Sequence, residues 1–231
     1  MTEILLDRPV WGTLTGALSH LSVGGALARR FKRDVNVFAA AADTSSEAMD
    51  ALFDVLPDEG SVYLMEAVPV RCPDGAQIMM ERPGVQYISG GSFLDSPAIN
   101  PIDGFPVQRM TDDDAADILE LATLTKPGPF YANTHRMGDF FGIRIDGQLI
   151  AVAGERFRCG RYAEVSAVCV HPDFQGRGLR RHMTAVSAAN IERRGDTPFI
   201  QAWADNAPAI GLYKSMGFVH RADVLVTEIS R

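Results

Sequence analysis

The chain predicts a mixed α/β (α+β) fold, on three observations. A strand pattern from Glu164 to Val170 runs through a glycine-rich turn into an amphipathic helix. Asp146-Gly147 stands between two apolar runs of strand character, a strong hairpin signal, and strand and helix patterns alternate throughout residues 107–231. With 231 residues there is enough chain for one large or two small domains. Pro97, Pro101, Gly104 and Pro106 interrupt any regular pattern, so residues 96–106 read as a linker between an accessory domain, 1–95, and a second domain, 107–231.

In the first region, helices are expected near Trp11–Leu21 and Ser45–Leu56, and strands at Ser61–Val68 and Val85–Ser89. It holds no recognisable catalytic motif. An accessory α/β domain is the reading, with a vestigial copy of the second domain's fold as the alternative. Tyr63, Leu64 and Met65 in succession suggest a strand covered on both faces. A linker this short also keeps the two bodies close, so the first hundred residues are expected to form one wall of the second domain's pocket.

In the second region, Val107–Met110 opens as a strand, and Thr111 with Asp114 makes a capping box for a helix faced by Ala115, Ile118, Leu119 and Ala122 and closed off by Pro127. Phe141–Ile145 and Leu149–Phe157 flank the Asp146-Gly147 turn. Glu164–Val170 is the central strand. Leu179, Met183 and Val186 then mark one face of a helix that stops at Gly195. Pro198–Ala204 reads as a strand, Ala207–Met216 as a helix stopped by Gly217, and Phe218–Ile229 as closing strand structure.

The turn between strand and helix, Gln175-Gly176-Arg177-Gly178, has the character of an anion cradle. Backbone N–H groups at a helix start lack intrahelical partners and sit at the positive end of the dipole, so a phosphate docks there. Gly176 and Gly178 permit close approach and positive φ. Arg177, Arg180, Arg181 and His182 stand at the helix end where cations are disfavoured by about 0.3–1 kcal/mol each. A bound polyphosphate reverses that penalty.

This segment resembles the acetyl-CoA-binding motif of the GNAT superfamily of N-acyltransferases, Q/R-x-x-G-x-G/A, through Gln175, Gly176 and Gly178. Arg180 departs from the pattern, standing where the family has Gly or Ala; its side chain is expected to turn outward or to add a contact to a CoA phosphate. Downstream, Asn206, Ala209, Leu212, Tyr213, Gly217 and Phe218 are similar to the family's second signature, N-x-x-A-x-x-L-Y-x-x-x-G-F. The wording of 127–141 and 163–172 is closest to the glycine N-acyltransferase-like branch. The resemblance implies a mixed, splayed central sheet flanked by helices for residues 107–231, and acetyl-CoA as cosubstrate without a metal.

The resemblance also implies the site residues. CoA contacts fall on Gln175, Gly176, Arg177, Gly178, Leu179, Arg180, Arg181 and Asn206, with the backbone of Val168, Cys169 and Val170 pairing with the pantetheine arm as an added strand. Tyr213 corresponds to the general acid near the thioester sulfur. Glu164, eleven residues before Gln175, matches the general base of some relatives; burial beside Val165 and Ala167 would raise its pKa toward neutrality. Glu155 and an ordered water chain are the reserves. Cys169 has no visible histidine partner and reads as an inert buried thiol. The segment Lys126–Met137 corresponds to the acceptor loop, with Phe130, Tyr131 and His135 as candidate acceptor contacts.

The implied activity is N-acetyl transfer by direct attack to a primary amine of a small molecule or amino acid. The alternative from another class is a catalytically silent acyl-CoA-binding regulatory module. Acetyl versus longer acyl, the acceptor and homo-oligomerisation stay open. A net charge of −7 speaks against a nucleic-acid or acidic-membrane surface. Cys72, Cys159 and Cys169 fit neither a disulfide framework nor a zinc spacing and imply a reduced, cytoplasmic setting. Val10–Ala28 carries no formal charge, yet its Thr, Ser, His and Gly residues dilute its hydrophobicity, and Glu3 and Asp7 stand where a secretory signal needs basic residues.

Overall fold

A computed structural model describes residues 5–68 and 71–231; Glu3 lies outside them. The chain begins with helix α1 (Pro9–Thr15) and strands β1 (Ser22–Gly24), β2 (Ala28–Phe31) and β3 (Ala39–Ala41), followed by α2 (Ser46–Asp54), β4 (Val62–Glu66) and β5 (Gln77–Ser89). Then come β6 (Val107–Arg109), α3 (Ala115–Thr125), β7 (Phe141–Ile145), β8 (Gln148–Cys159) and β9 (Tyr162–Val170). Helix α4 (Leu179–Arg193), β10 (Thr197–Trp203), α5 (Ala207–Ser215) and β11 (Phe218–Ser230) complete it.

Eight strands form one mixed sheet in the order β4-β11-β5-β10-β9-β8-β7-β6, and β1-β2-β3 make a small second sheet. The expected boundary at residue 95 does not match this topology. Strand β5 lies between β10 and β11, antiparallel to both, and β4 pairs with the far side of β11. The region read as an accessory domain therefore supplies an inner strand of the sheet that carries the site. Only Val85–Ser89 of β5 reads as strand in the sequence, because Gln77–Pro83 shows no alternation of apolar and polar residues and includes Pro83, a residue that argues against a central strand; in the structure this half is mostly exposed, Ile78 and Met79 included. Pro83 stands one residue beyond the last pair with β10, which ends at Trp203 opposite Gly84.

Residues 96–106 are likewise packed rather than a free linker. A 3₁₀ turn at Pro97–Ile99 sets Ala98 and Ile99 against the α4 side of the sheet, Ile102 and Phe105 fill the next cluster, and the buried His182 ring lies with Nδ1 2.8 Å from the Ala98 carbonyl oxygen.

Local signals explain the rest. The Thr111 backbone N–H donates to the Asp114 carboxylate at 2.9 Å, its hydroxyl at 3.2 Å, and α3 begins just after. Asp146 and Gly147 take φ of 50° and 84°, the left-handed pair a two-residue hairpin needs. Helices α4 and α5 cover one face of the sheet over Ala163, Val165 and Ile200, while α1 and α3 cover the other over Phe157, Phe199, Val152 and Cys169. Helix α1 lies close on β8: a Cβ on Gly12 would stand 2.8 Å from that of Cys159.

Candidate active site

Strands β9 and β10 run parallel but pair only where Tyr162, Ala163 and Glu164 meet Thr197, Pro198 and Phe199. Beyond Glu164 they diverge. The gap is a cleft of about 540 Å³, walled by Val165–Val168 of β9, Ile200–Trp203 of β10, residues 125–129 at the end of α3 and beyond it, and Asn206, Ala209 and Tyr213 around α5. At the far end stand Phe38, Tyr63, Met65, Arg156, Val224 and Val226. Along β9 the register with β8 passes from Cys169 opposite Val152 to Ser166 opposite Gly154, a bulge in which Ala167 adopts φ of 51°. A non-glycine residue there costs about 1–2 kcal/mol, and the bulge sits on the cleft wall.

At the near end, β9 leads through a 3₁₀ turn, Pro172–Phe174, into the two-glycine turn. Gly176 and Gly178 both have φ of 77°, Gly178 is the N-cap of α4, and a Cβ on either would meet nothing within 4 Å. Backbone conformation thus calls for glycine, while the space above the turn is open. Gln175 to Gly178 are exposed, and Leu179 is buried as the anchor. The arginines part company here. Arg177 lies over Phe174 at 5.2 Å, Arg180 lines the cleft, and Arg181 donates from Nη2 to the Ser215 hydroxyl at 2.5 Å, tying α4 to α5. Arg180 is exposed as well as lining the cleft, a position compatible with both expectations for its side chain.

Val168 lines the cleft, while the Cys169 and Val170 side chains are buried against the sheet. Both residues pair with β8 on one side, and their other edge faces the split. Burial pushes the Cys169 thiol up to about 11 and the Cys159 thiol up to about 12, so neither supplies a thiolate near neutral pH.

Asn206 caps α5, its Oδ1 accepting the Ala209 N–H at 3.2 Å, and also lines the cleft. Tyr213 projects from α5 into the cleft with its ring edge-on to Tyr87 and Phe218, at 6.4 and 6.1 Å. Burial pushes its hydroxyl above the ordinary tyrosine range, Arg180 pulls it down, Glu164 pushes it up and Arg156 pulls it down again. It is a protonated donor at neutral pH.

The carboxylates stand differently from the sequence-based expectation. Glu164 is 1% exposed and its oxygens are engaged: Arg156 donates from Nε to Oε2 at 2.7 Å and from Nη2 to Oε1 at 2.6 Å, and Gln201 donates to Oε1 at 3.1 Å. It does not line the cleft. Glu155 is held by two 2.9 Å bonds from Arg194, with burial pushing its carboxyl up against the pull of Arg194, and it lines a small pocket beside the cleft that shares Pro127–Pro129, Arg156, Ser166 and Ala167 with it. Among the described residues lining the cleft there is no carboxylate, whereas Lys126, Arg156 and Arg180 are there. Arg156 gives no signal in the sequence because an arginine in a strand next to Phe157 reads as a solvated position; only the bulge between Glu155 and Arg158 turns it to Glu164.

The acceptor-loop residues also fall elsewhere. Lys126–Pro129 reach the cleft, but Phe130 packs edge-on against Phe140 at 6.1 Å. Tyr131 is half-buried outside the cleft wall, its backbone N–H donating to the Thr134 hydroxyl at 2.7 Å. His135 is buried with Nε2 3.0 Å from Asp112 Oδ1, in a separate groove that shares no lining residue with the cleft. Phe140 takes the Phe130 side chain and Asp112 the His135 ring; the glycine and prolines before them carry the loop past the cleft. Among the described residues no cluster of His, Cys, Asp and Glu is arranged to hold a metal ion, and no helix is long and apolar enough to cross a membrane.

Comparison with known proteins adds to the geometry. Residues 140–226 match a family model described as FR47-like protein. The crystal structure of a putative acetyltransferase from the GNAT family of Novosphingobium aromaticivorans is similar over 99% of this chain and 99% of its own, at 35% identity and a TM-score of 0.86. Proteins named mycothiol acetyltransferase are similar over shorter stretches. That of Streptomyces coelicolor is 33% identical over 89 residues, covering 37% of this chain and 29% of the relative. That of Thermomonospora curvata is 29% identical over 160 residues, covering 66% and 47%. In both, the chain spans less than half the length of the curated relative.

Proposed function

The chain belongs to the GNAT family of acetyltransferases, and from that premise we propose that it transfers the acetyl group of acetyl-CoA to a primary amine of a small molecule or amino acid. One observation carries this reading: a continuous cleft runs from below the two-glycine turn, between the diverging strands β9 and β10, to an apolar chamber containing one arginine, with the Tyr213 side chain on its wall. The CoA pyrophosphate takes the free N–H groups at the start of α4, with Arg177 and Arg180 beside it. Pantetheine lies along the open edge of Val168–Val170 as an added strand.

The amine enters from the far end and attacks the thioester carbonyl directly; the C–N bond forms as the C–S bond breaks. Tyr213 donates its hydrogen bond to the departing thiolate. The proton from nitrogen leaves through water, because both candidate carboxylates are bound in ion pairs. The buried Cys169 thiol supports direct attack over an acyl-enzyme. Three unpaired cysteines fit a cytoplasmic setting. The glycine N-acyltransferase-like wording of 127–141 and 163–172, and the relatives named mycothiol acetyltransferase, support a small acceptor.

A second reading, an acyl-CoA-binding module without turnover, is favoured by one observation, the engagement of Glu164 and Glu155. Thiol release from acetyl-CoA, measured against a panel of amines and amino acids, separates the two. Binding of CoA with no release for any acceptor leaves only the module.

A further inference from the structure

The far end of the cleft joins two features that normally exclude each other. Its walls are apolar and aromatic, yet Arg156 lies among them with 14% of its side chain exposed, its Cζ 5.0 Å from the centre of the Phe38 ring and 4.6 Å from that of Phe157. Its Nε and Nη2 are held by Glu164, and Nη1 donates to no protein acceptor among the described residues. Glu164 is in turn held by Gln201. A guanidinium held on one edge by a carboxylate and lying against two aromatic rings keeps Nη1 free to donate, and the loss of rotamer entropy is already met before any ligand arrives.

We propose that Arg156 is the residue that selects the acceptor, taking a carboxylate oxygen placed next to the reacting amine, and that Glu164 is its positioning residue rather than the base. The assignment rests on the transfer reading given above and deepens it.

Charge supports this. The chain carries a net charge of −7, but the described residues lining the cleft include three cations and no carboxylate. An ammonium entering such a chamber finds no counter-charge. An amine flanked by its own carboxylate enters differently: the carboxylate pairs with Nη1 of Arg156, the ammonium loses its intramolecular partner, and the free base is favoured at the moment attack requires it. Phe38, Tyr63, Met65, Val224 and Val226 then accept an apolar side chain. The acceptor class is an α-amino acid with an apolar side chain and a free carboxylate.

The test compares phenylalanine, leucine and methionine with their α-amides, by thiol release from acetyl-CoA and, separately, by calorimetric titration of the protein saturated with CoA. The acids should be preferred, and Arg156→Gln should lower kcat/KM for the acids by about 10- to 100-fold while changing the amides only a few-fold, as expected for losing a charge-assisted hydrogen bond. Glu164→Gln should act in the same direction through KM, with the acidic limb of the pH profile unmoved. Equal loss on acids and amides in Arg156→Gln, or no acid preference in the parent protein, overturns the proposal. A protein that binds the acids through Arg156 but releases no thiol keeps this assignment and overturns acetyl transfer.

Discussion

The two ends of the cleft are made of different materials. The CoA end is one continuous stretch, Val168 to Arg181, and its chemistry is that of backbone: an open strand edge, two glycines at φ of 77° and a helix start. The acceptor end is assembled from β4, β8, β10, β11 and the segment carrying Phe38, and its chemistry is that of side chains. A backbone site tolerates side-chain replacement and fails when the backbone is forced; a side-chain site has the opposite weakness. The contrast can be broken or sharpened by experiment.

The largest effect is expected from removing the region whose sequence reads as accessory. A fragment comprising residues 105–231 lacks β5, so β10 loses its antiparallel neighbour and β11 loses both of its partners. The unpaired edges and the apolar surface of β11 make an aggregating chain. Size-exclusion chromatography and circular dichroism should find no folded monomer. A monodisperse, helical and strand-containing fragment would show that β5 is dispensable and restore the two-domain description.

Tyr213→Phe comes next. Deleting the hydroxyl should lower kcat by about 10²–10⁴, the range for losing a general acid, while CoA affinity measured by titration stays within a few-fold. Because burial pushes the Tyr213 hydroxyl up, it stays protonated through the working range, and no alkaline limb in kcat is expected below about pH 9. The acidic limb of kcat/KM should instead move with the amine pKa of whichever acceptor is used. A limb that stays fixed across acceptors, and vanishes in Glu164→Gln, would return the base role to Glu164.

Legibility in the sequence divides along the same line. The cradle, the capping box at Thr111 and the Asp146-Gly147 hairpin are local, so each leaves its residues side by side in the sequence. The acceptor end leaves none. Arg156 and Glu164 are eight residues apart, but whether they meet depends on the bulge between Glu155 and Arg158. Phe38 and Tyr63 reach the cleft only because β4 joins β11, a pairing with the far end of the chain. Phe130, Tyr131 and His135 miss the cleft for a related reason: the loop passes it, but which of its side chains point inward is decided by Phe140, Thr134 and Asp112, from outside the loop or from its own fold-back.

Gly178→Val forces the backbone at the near end. A β-branched residue at φ of 77° costs about 1–2 kcal/mol and its side chain enters open space above the turn. CoA affinity should fall by about tenfold or more, read by titration, with the acceptor preference unchanged. Unchanged CoA affinity would remove the pyrophosphate from this turn.

Arg180→Ala should have the smallest effect, and it tests the contrast most directly. The substitution restores the small residue of the family pattern at a position whose own side chain is exposed and lines the cleft. An exposed ion pair is worth about 0–1 kcal/mol and is screened by salt, so CoA affinity should weaken no more than about 5-fold at low ionic strength and less at high. The backbone N–H groups that carry the anion are untouched, and α4 gains by losing a cation from its first turn. A loss approaching that of Gly178→Val would mean that the CoA end, like the acceptor end, depends on a placed arginine, and the distinction between the two halves of the cleft would fall.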